Sequence, residues 1–216
     1  MPDIHPAATG GTYDAIIVGG GPAGLFAAYY LCEHSNKRVL LLEKGKPSLK
    51  RRCPISETRQ CIACTPCNIL CGIGGTGLFS DGKLNFIPKL GKTDLTQFMP
   101  RSQAQALIDE TEAIFDQFGM DGPVYPTNMK EAREYRKNAK KYGIDLLLIK
   151  QKHLGSDSLP GYIAGMADAI REKGVTFRTT EAVSDLIVEN GAVRGVATEA
   201  GRYLAANVIL APGRVG

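Results

Sequence analysis

The sequence predicts an α/β fold in which helices flank a central parallel sheet. A short apolar run at residues 15–18 has strand character, and it leads through glycines into a series of helix formers that ends at Leu31. A second apolar run, residues 38–42, follows Asn36 and is typical of a buried parallel strand. Near the carboxyl end, residues 182–188 and 192–198 flank an Asn-Gly turn and predict a β-hairpin.

The turn after the first strand has the G-x-G-x-x-G spacing of a dinucleotide-binding site. Gly19 permits the tight turn, Gly21 lets a pyrophosphate come close to the backbone, and Gly24 lets the helix pack on the strand. The start of the helix would present free N–H groups and the positive end of its dipole to the phosphates. Pro22 suits the first turn because it has no N–H to donate there.

Glu43 completes the predicted strand–helix–strand unit. It follows the second strand, nineteen positions after Gly24, where an acidic residue is expected to hold a ribose hydroxyl. An acid there disfavours a phosphate on the same ribose, so the pattern argues against NADP. The alternative is an ordinary strand–helix–strand unit with a surface glutamate, but the combined pattern favours dinucleotide binding.

Composition sets limits on the class of protein. The chain has 216 residues, of which 44% are hydrophobic and 22% charged, as in ordinary globular domains. No apolar run approaches 18 residues, and no secretory signal is recognisable, so we expect a cytoplasmic protein without a membrane-spanning helix. The net charge of +4 suits an anionic ligand but does not argue for nucleic acid. Residues 1–12 are predicted to be a flexible tail.

Five of the six cysteines lie between residues 53 and 71. Four of them have the C-x2-C-x2-C-x3-C spacing of bacterial iron–sulfur ligands, and the fifth is followed by Pro54. A zinc site and a dithiol or free thiols are the alternatives. The candidate metal ligands are therefore Cys53, Cys61, Cys64, Cys67 and Cys71.

Two loops near these cysteines are further candidates for ligand contact. Lys44 begins a basic loop that could offset the phosphates, although a solvated loop is the simpler interpretation. Residues 72–77 are rich in glycine, which allows a close backbone approach to a ligand.

Residues 88–156 interrupt the nucleotide-binding pattern and are predicted to form an inserted cap that contacts the substrate. The pattern predicts helices at 102–118 and 129–142 and a strand at 144–149. The second helix is strongly basic, which indicates a solvated face or, alternatively, an anionic partner. His153 is the one candidate for proton transfer, although a plain loop residue is the simpler interpretation.

The sequence resembles a family of FAD-dependent dehydrogenases within the glutathione-reductase-like flavoprotein superfamily. The matching segments are GGGPAGL at 19–25, Glu43, RCP at 52–54, CG-x-GGTGLFSDGKL at 71–84 and VILAPGR at 208–214. This resemblance implies FAD as the cofactor, and similarity to flavoproteins also implies that Val183 lies at the adenine and that residues 211–213 return to the cofactor. The predicted cofactor-binding residues are Gly19, Gly21, Pro22, Ala23, Gly24, Glu43, Lys44, Gly74, Gly75, Thr76, Gly77, Val183, Ala211 and Gly213.

The expected function is flavin-dependent oxidoreduction of a small molecule, with a nearby cysteine cluster that carries electrons. Residues 13–87 and 157–216 would form an FAD-binding domain that is incomplete at its carboxyl end, because related flavoproteins continue further. The alternatives are a flavoprotein of the geranylgeranyl-reductase or tRNA-modifying type and a nucleotide-binding fragment without catalysis. Nucleic acid and membranes are not expected partners.

Overall fold

The computed structural model describes residues 9–215. The strands are β1 (Thr9–Val18), β2 (Val39–Glu43), β3 (Lys83–Asn85), β4 (Lys89–Leu90), β5 (Thr93–Asp94), β6 (Val124–Tyr125), β7 (Gln151–His153), β8 (Thr176–Thr179), β9 (Val183–Glu189), β10 (Ala192–Thr198) and β11 (Gly201–Leu210). The helices are α1 (Pro22–His34), α2 (Ile55–Thr58), α3 (Arg101–Gln117), α4 (Met129–Lys141) and α5 (Leu159–Glu172). None of these helices has the length and apolar character needed to cross a membrane.

The larger compact unit comprises the described residues up to Phe79 and from Ile163 onwards. Its sheet has six strands in the order β8-β2-β1-β11-β10-β9. The first four strands of this order run parallel, and β9 and β10 form an antiparallel hairpin at one edge. The predicted α/β class, with a parallel sheet and a hairpin, is therefore confirmed.

The core of this unit explains why the apolar runs are strands. Every residue of β2 is buried, as expected for a parallel strand covered on both faces. On one face, Ile16, Leu40 and Tyr203 pack together with residues of β10 and β11. Ile17 and Leu41, which alternate with that set along β1 and β2, are also fully buried. The buried residues of β1 and β2 therefore form the centre of the sheet. Because these two strands are parallel neighbours, their carboxyl ends lie side by side.

One detail of the larger unit differs from the sequence expectations. Residues 9–12, predicted to belong to a flexible tail, instead begin β1, which pairs with β11 from Thr9 onwards. The rest of the predicted tail lies outside the described residues. Strand β11 is continuous over ten residues, and β1 provides its parallel hydrogen-bonding neighbour.

The second compact unit, Ser80–Tyr162, contains all of the predicted insertion. It has an antiparallel sheet in the order β3-β7-β6, a β4–β5 hairpin, and helices α3 and α4. Helix α3 begins at Arg101 after Pro100, one residue before the predicted start at 102. Helix α4 has a side-chain cap, because Asn128 accepts hydrogen bonds from the N–H groups of Lys130 and Glu131.

The predicted strand at 144–149 is wrong. This segment has no regular structure, and the side chains of Ile144 and Leu147 are largely exposed. Its apolar composition suits a strand, but it gains no neighbouring strand within the described residues. Without a partner, its backbone hydrogen bonds cannot form a ladder. The strand that does form is β7, directly after it.

A charged cluster lies inside the second unit. Lys152 is almost fully buried, and its ammonium group contacts carboxylate oxygens of Glu112 at 3.1 Å and Asp116 at 2.5 Å. Lys150 also pairs with Glu112. Burial alone would raise the pKa of Glu112, but the hydrogen bonds and charges of the two lysines outweigh it and leave this pKa below its ordinary value.

We expect Lys152→Met to destabilise the protein by about 1.5–3 kcal/mol, because Asp116 would lose this ion pair and the buried Glu112 would keep Lys150 alone. Lys83→Met is the matched control, since Lys83 and its partner Asp81, at 2.8 Å, are both largely exposed and their pair should contribute less than about 1 kcal/mol. Urea unfolding of both variants measures the difference. Equal losses would show that the buried cluster contributes no more than the exposed pair.

Candidate functional site

A cavity of about 510 Å³ lies at the carboxyl ends of β1, β2 and β11. This volume is within the range of small-molecule and cofactor sites, about 300–1,000 Å³. We call it the glycine-turn cavity. Eleven of the fourteen predicted cofactor-binding residues line it, namely Gly19, Gly21, Pro22, Glu43, Lys44, Gly75, Thr76, Gly77, Val183, Ala211 and Gly213.

The glycines of the first turn allow close packing. A Cβ atom on Gly24 would lie 1.9 Å from the carbonyl oxygen of Gly19, so only glycine lets α1 approach the turn this closely. Gly19 has a φ of 106° and approaches the backbone of Ala211. Gly24 therefore contributes packing. Ala23, Gly24 and Gly74 are the three predicted cofactor-binding residues that do not line the cavity.

The amino end of α1 opens into the glycine-turn cavity. Its N-cap residue is Gly21, no side chain caps it, and Pro22 is its first residue. A Cβ on Gly21 would meet only the Cα of Gly75, at 3.8 Å, so there is room for a ligand beside the turn. Because the first N–H groups of a helix have no partner within it, this end can bind an anion.

Glu43 is buried and accepts three backbone hydrogen bonds. Its Oε2 accepts from Gly20 at 2.7 Å, and its Oε1 accepts from Gly45 at 2.7 Å and from Gly72 at 2.9 Å. The sequence pattern predicted a ribose contact but did not indicate this role. An ionised carboxylate has about four acceptor positions, so one position on Oε2 remains available to a ribose hydroxyl.

Arg51 was not predicted to belong to the site. Its buried guanidinium donates hydrogen bonds to main-chain carbonyl oxygens in the segment 68–75, and it stacks over the ring of Phe79 at 5.0 Å. Burial lowers the pKa of Arg51, and the nearby charge of Glu43 partly opposes this shift. In the sequence, Arg51 is one of several charges in the basic loop that Lys44 begins, and no local pattern marks it as buried.

Glu181 is a further cavity residue that the sequence did not indicate. Its Oε1 accepts hydrogen bonds from the Tyr203 hydroxyl at 2.7 Å and the Thr198 hydroxyl at 2.8 Å. Its backbone N–H donates to the carbonyl oxygen of Glu43. Burial, together with the hydrogen bond to Glu181, raises the pKa of Tyr203 to about 12. Tyr203 therefore remains a neutral donor that fixes the position of this carboxylate.

The five clustered cysteines are not brought together in this structure in the arrangement of a metal site. Within residues 9–215, no three cysteine, histidine, aspartate or glutamate side chains are arranged so that they could hold a metal ion. The predicted ligands Cys53, Cys61, Cys64, Cys67 and Cys71 are free thiols, and only Cys71 is buried. The spacing of cysteines along a loop does not by itself bring their sulfur atoms to one point, because the loop conformation decides this.

Three of these thiols instead line a second cavity of about 820 Å³, which we call the thiol cavity. Cys64 and Cys67 line it together with Thr180 and Glu199, and Cys71 lines both cavities. Lys44, Leu70 and Glu181 are also shared between the two. All three thiols therefore share the thiol cavity with Glu181, and Cys71 shares the glycine-turn cavity with Glu43.

His153 lies in the second unit, at the end of β7. Its side chain is exposed, and its Nε2 is 3.1 Å from the carbonyl oxygen of Asp81. In the antiparallel register of β3 and β7, its backbone lies opposite that of Lys83. It is not among the residues that line either cavity. Its role in proton transfer stays a prediction.

Residues 17–48 match the sequence model of the NAD(P)-binding Rossmann-like domain. This match covers the glycine turn, α1, β2 and Glu43. A putative FAD-dependent oxidoreductase, LodB of Marinomonas mediterranea, is 60% identical over 40 residues, which are 18% of this chain and 11% of that protein.

Solved structures share the fold. The 3-ketosteroid-delta4-(5alpha)-dehydrogenase of Rhodococcus jostii RHA1 is 12% identical (TM-score 0.57), and the match covers 96% of this chain and 48% of that protein. Glycine oxidase of Geobacillus kaustophilus is 18% identical (TM-score 0.55), and the match covers 94% of this chain and 55% of that protein. L-Amino acid deaminase of Proteus myxofaciens is 17% identical (TM-score 0.53), and the match covers 98% of this chain and 48% of that protein. The chain spans about half the length of these proteins, and at this identity the likeness establishes the fold alone.

The exposure of the thiols predicts their order of alkylation. Cys61 is exposed and should react first with iodoacetamide, whereas Cys71 is buried and should react late. Cys32 should also react late, because burial raises its pKa and reduces its thiolate fraction. Peptide mass spectrometry at timed intervals gives the order. Joint protection of Cys61, Cys64 and Cys67, released by a chelator, would contradict this arrangement and favour metal ligation.

Proposed function

We propose that this protein is an FAD-dependent oxidoreductase that acts on a small molecule. One observation carries the proposal: the uncapped start of α1, the open glycines of two loops and the carboxylate of Glu43 meet around one cavity. Helix N–H groups suit a pyrophosphate, and a carboxylate suits a ribose. The arrangement therefore fits the dinucleotide part of FAD.

The residues present fit the cofactor in three respects. Gly21 leaves room beside the helix end, and a Cβ on Gly77 would meet nothing within 4 Å, so a ligand can approach both backbones. Glu43 keeps one acceptor position on Oε2. A carboxylate beside the ribose opposes a ribose phosphate, which argues against NADP in this cavity. The match of 40 residues to a putative FAD-dependent oxidoreductase supports FAD over NAD.

The chemistry would be the acceptance of a hydride or of electrons by the flavin. The protein's part is to bind and orient the cofactor through the glycine-turn cavity. The second unit, Ser80–Tyr162, is the candidate substrate-binding region, and it contains His153, the candidate for proton transfer. A cytoplasmic location, without membrane or nucleic-acid partners, belongs to the same proposal.

A redox role for the cysteines is a second, narrower proposal. Cys71 lines both cavities, so a change in its oxidation state would act directly on the cofactor cavity. A dithiol fits this placement better than an iron–sulfur centre, because the described residues offer no metal geometry. An absorption spectrum with iron and zinc analysis, on protein purified without oxygen, tests both points. Flavin bands without bound metal are expected, and flavin bands with stoichiometric iron would restore the iron–sulfur interpretation.

We expect Gly21→Val to weaken FAD binding by at least about tenfold, ~1.4 kcal/mol, because the branched side chain would occupy the space beside the helix end. Gly165→Val is the matched control, since an added Cβ there meets nothing within 4 Å and the residue does not line the cavity. Fluorescence titration with FAD measures both affinities.

Gly21→Val is a cleaner test than a change of Glu43, which would also break three backbone hydrogen bonds. Equal FAD affinity of the Gly21→Val variant and the wild type would reject the glycine-turn cavity as the cofactor site. If the wild-type protein bound NAD but not FAD, the nucleotide-binding part of the proposal would stand and the flavin part would fail.

A further inference from the structure

Arg51 is a buried cation that the proposed cofactor contacts do not explain. We propose that Arg51 is a positioning residue for the cofactor phosphates: it orients the Gly75–Thr76 peptide so that its N–H faces the glycine-turn cavity, and it places a buried positive charge behind that peptide. The inference rests on the proposed function, because the phosphates belong to the dinucleotide. It extends that function by assigning a second set of phosphate contacts, beside the start of α1.

The hydrogen bonds of Arg51 all go to main-chain carbonyl oxygens. Its Nη1 donates to Gly75 at 2.7 Å and to Ile73 at 2.9 Å, with a longer contact to Gly72 at 3.4 Å. Its Nη2 donates to Ile69 at 2.6 Å, and its Nε donates to Asn68 at 3.0 Å. Among the described residues, no carboxylate lies within ion-pair distance of this guanidinium. Its charge is therefore solvated by carbonyl dipoles but not neutralised.

This pattern sets the direction of the peptide N–H groups. In a trans peptide the C=O and the N–H point in opposite directions, so a carbonyl directed at Arg51 turns the following N–H away from it. Two such N–H groups are used inside the protein, since Ile73 donates to Lys46 and Gly74 donates to Gly20. The N–H of Thr76 follows the carbonyl of Gly75, and it has no acceptor within the described part of the chain.

Thr76 stands where a phosphate would bind. It lines the glycine-turn cavity, and its neighbour Gly75 packs against the start of α1, where an added Cβ would be 3.2 Å from Gly21 Cα and Pro22 Cδ. The free end of α1 and the Thr76 N–H therefore border the same part of the cavity. A diphosphate there would accept hydrogen bonds from both sides and would be attracted by the charge of Arg51.

Glu43 holds the same loop from its other side. It accepts the hydrogen bond of Gly72 N–H, while the carbonyl of Gly72 faces Arg51. The loop is thus fixed between a buried anion and a buried cation. The carboxylate of Glu43 would accept a hydrogen bond from a ribose hydroxyl, and the guanidinium of Arg51 lies beside the proposed position of the negatively charged phosphates. This arrangement suits a nucleoside diphosphate.

Binding of ADP and of adenosine to the full-length protein, freed of bound nucleotide, tests the inference. In Arg51→Met, the affinity for ADP should fall by about tenfold or more, because the Gly75–Thr76 peptide would no longer be held in place and the buried positive charge would be gone, and the affinity for adenosine should change by less than about twofold. Arg51→Lys keeps the charge but holds fewer carbonyls, so its ADP-to-adenosine affinity ratio should lie between those of the wild type and Arg51→Met. Isothermal titration calorimetry provides both constants.

Met166→Ala controls for loss of stability alone. Met166 is fully buried in α5 and lines neither cavity, so this variant should unfold at a lower temperature with an unchanged affinity ratio. Equal loss of ADP and adenosine binding in Arg51→Met, or no loss, would overturn the positioning role. If Arg51→Met does not fold, Arg51→Lys becomes the deciding variant. An ADP-to-adenosine affinity ratio of Arg51→Lys equal to that of the wild type would then overturn the inference. A wild-type protein that binds neither FAD nor ADP would instead reject the proposed function.

Discussion

The site depends on the buried carboxylate of Glu43 and its three backbone N–H partners. A buried carboxylate is costly unless it is hydrogen-bonded, and Glu43 meets this requirement by accepting from Gly20, Gly45 and Gly72. These residues belong to the first glycine turn, the loop after β2 and the loop after the cysteines. One side chain at the end of a central strand therefore fixes the positions of three loops that line the cavity.

Arg51 complements Glu43 with the opposite charge. The glycine-rich loop has few side chains that could anchor it, so its conformation is set by its own carbonyl and N–H groups. Arg51 binds carbonyl oxygens of this loop, and Glu43 binds one of its N–H groups. Two buried charges thereby replace the apolar packing that a glycine loop cannot provide, and they hold it beside the start of α1 without occupying the ligand space.

The thiols are positioned by the same loop. Cys71 directly precedes Gly72, so its burial follows from the contact between Gly72 and Glu43. Cys64 and Cys67 lie further back in the loop and line the thiol cavity, at the ends of β2 and β8. Of these three thiols, Cys71 also lines the glycine-turn cavity.

The sequence by itself determined the sheet, the glycine turn and the acid after β2, because these depend on local patterns: apolar runs, glycines at fixed spacing, and a carboxylate one strand further on. It could not determine which loop residues meet in space. The roles of Arg51 and Glu181, the separation of the cysteines and the absence of a strand at 144–149 depend on contacts between distant parts of the chain. Glu43 combines both cases: its position follows from the pattern, but its three backbone partners are fixed only when the folded loops come together around it.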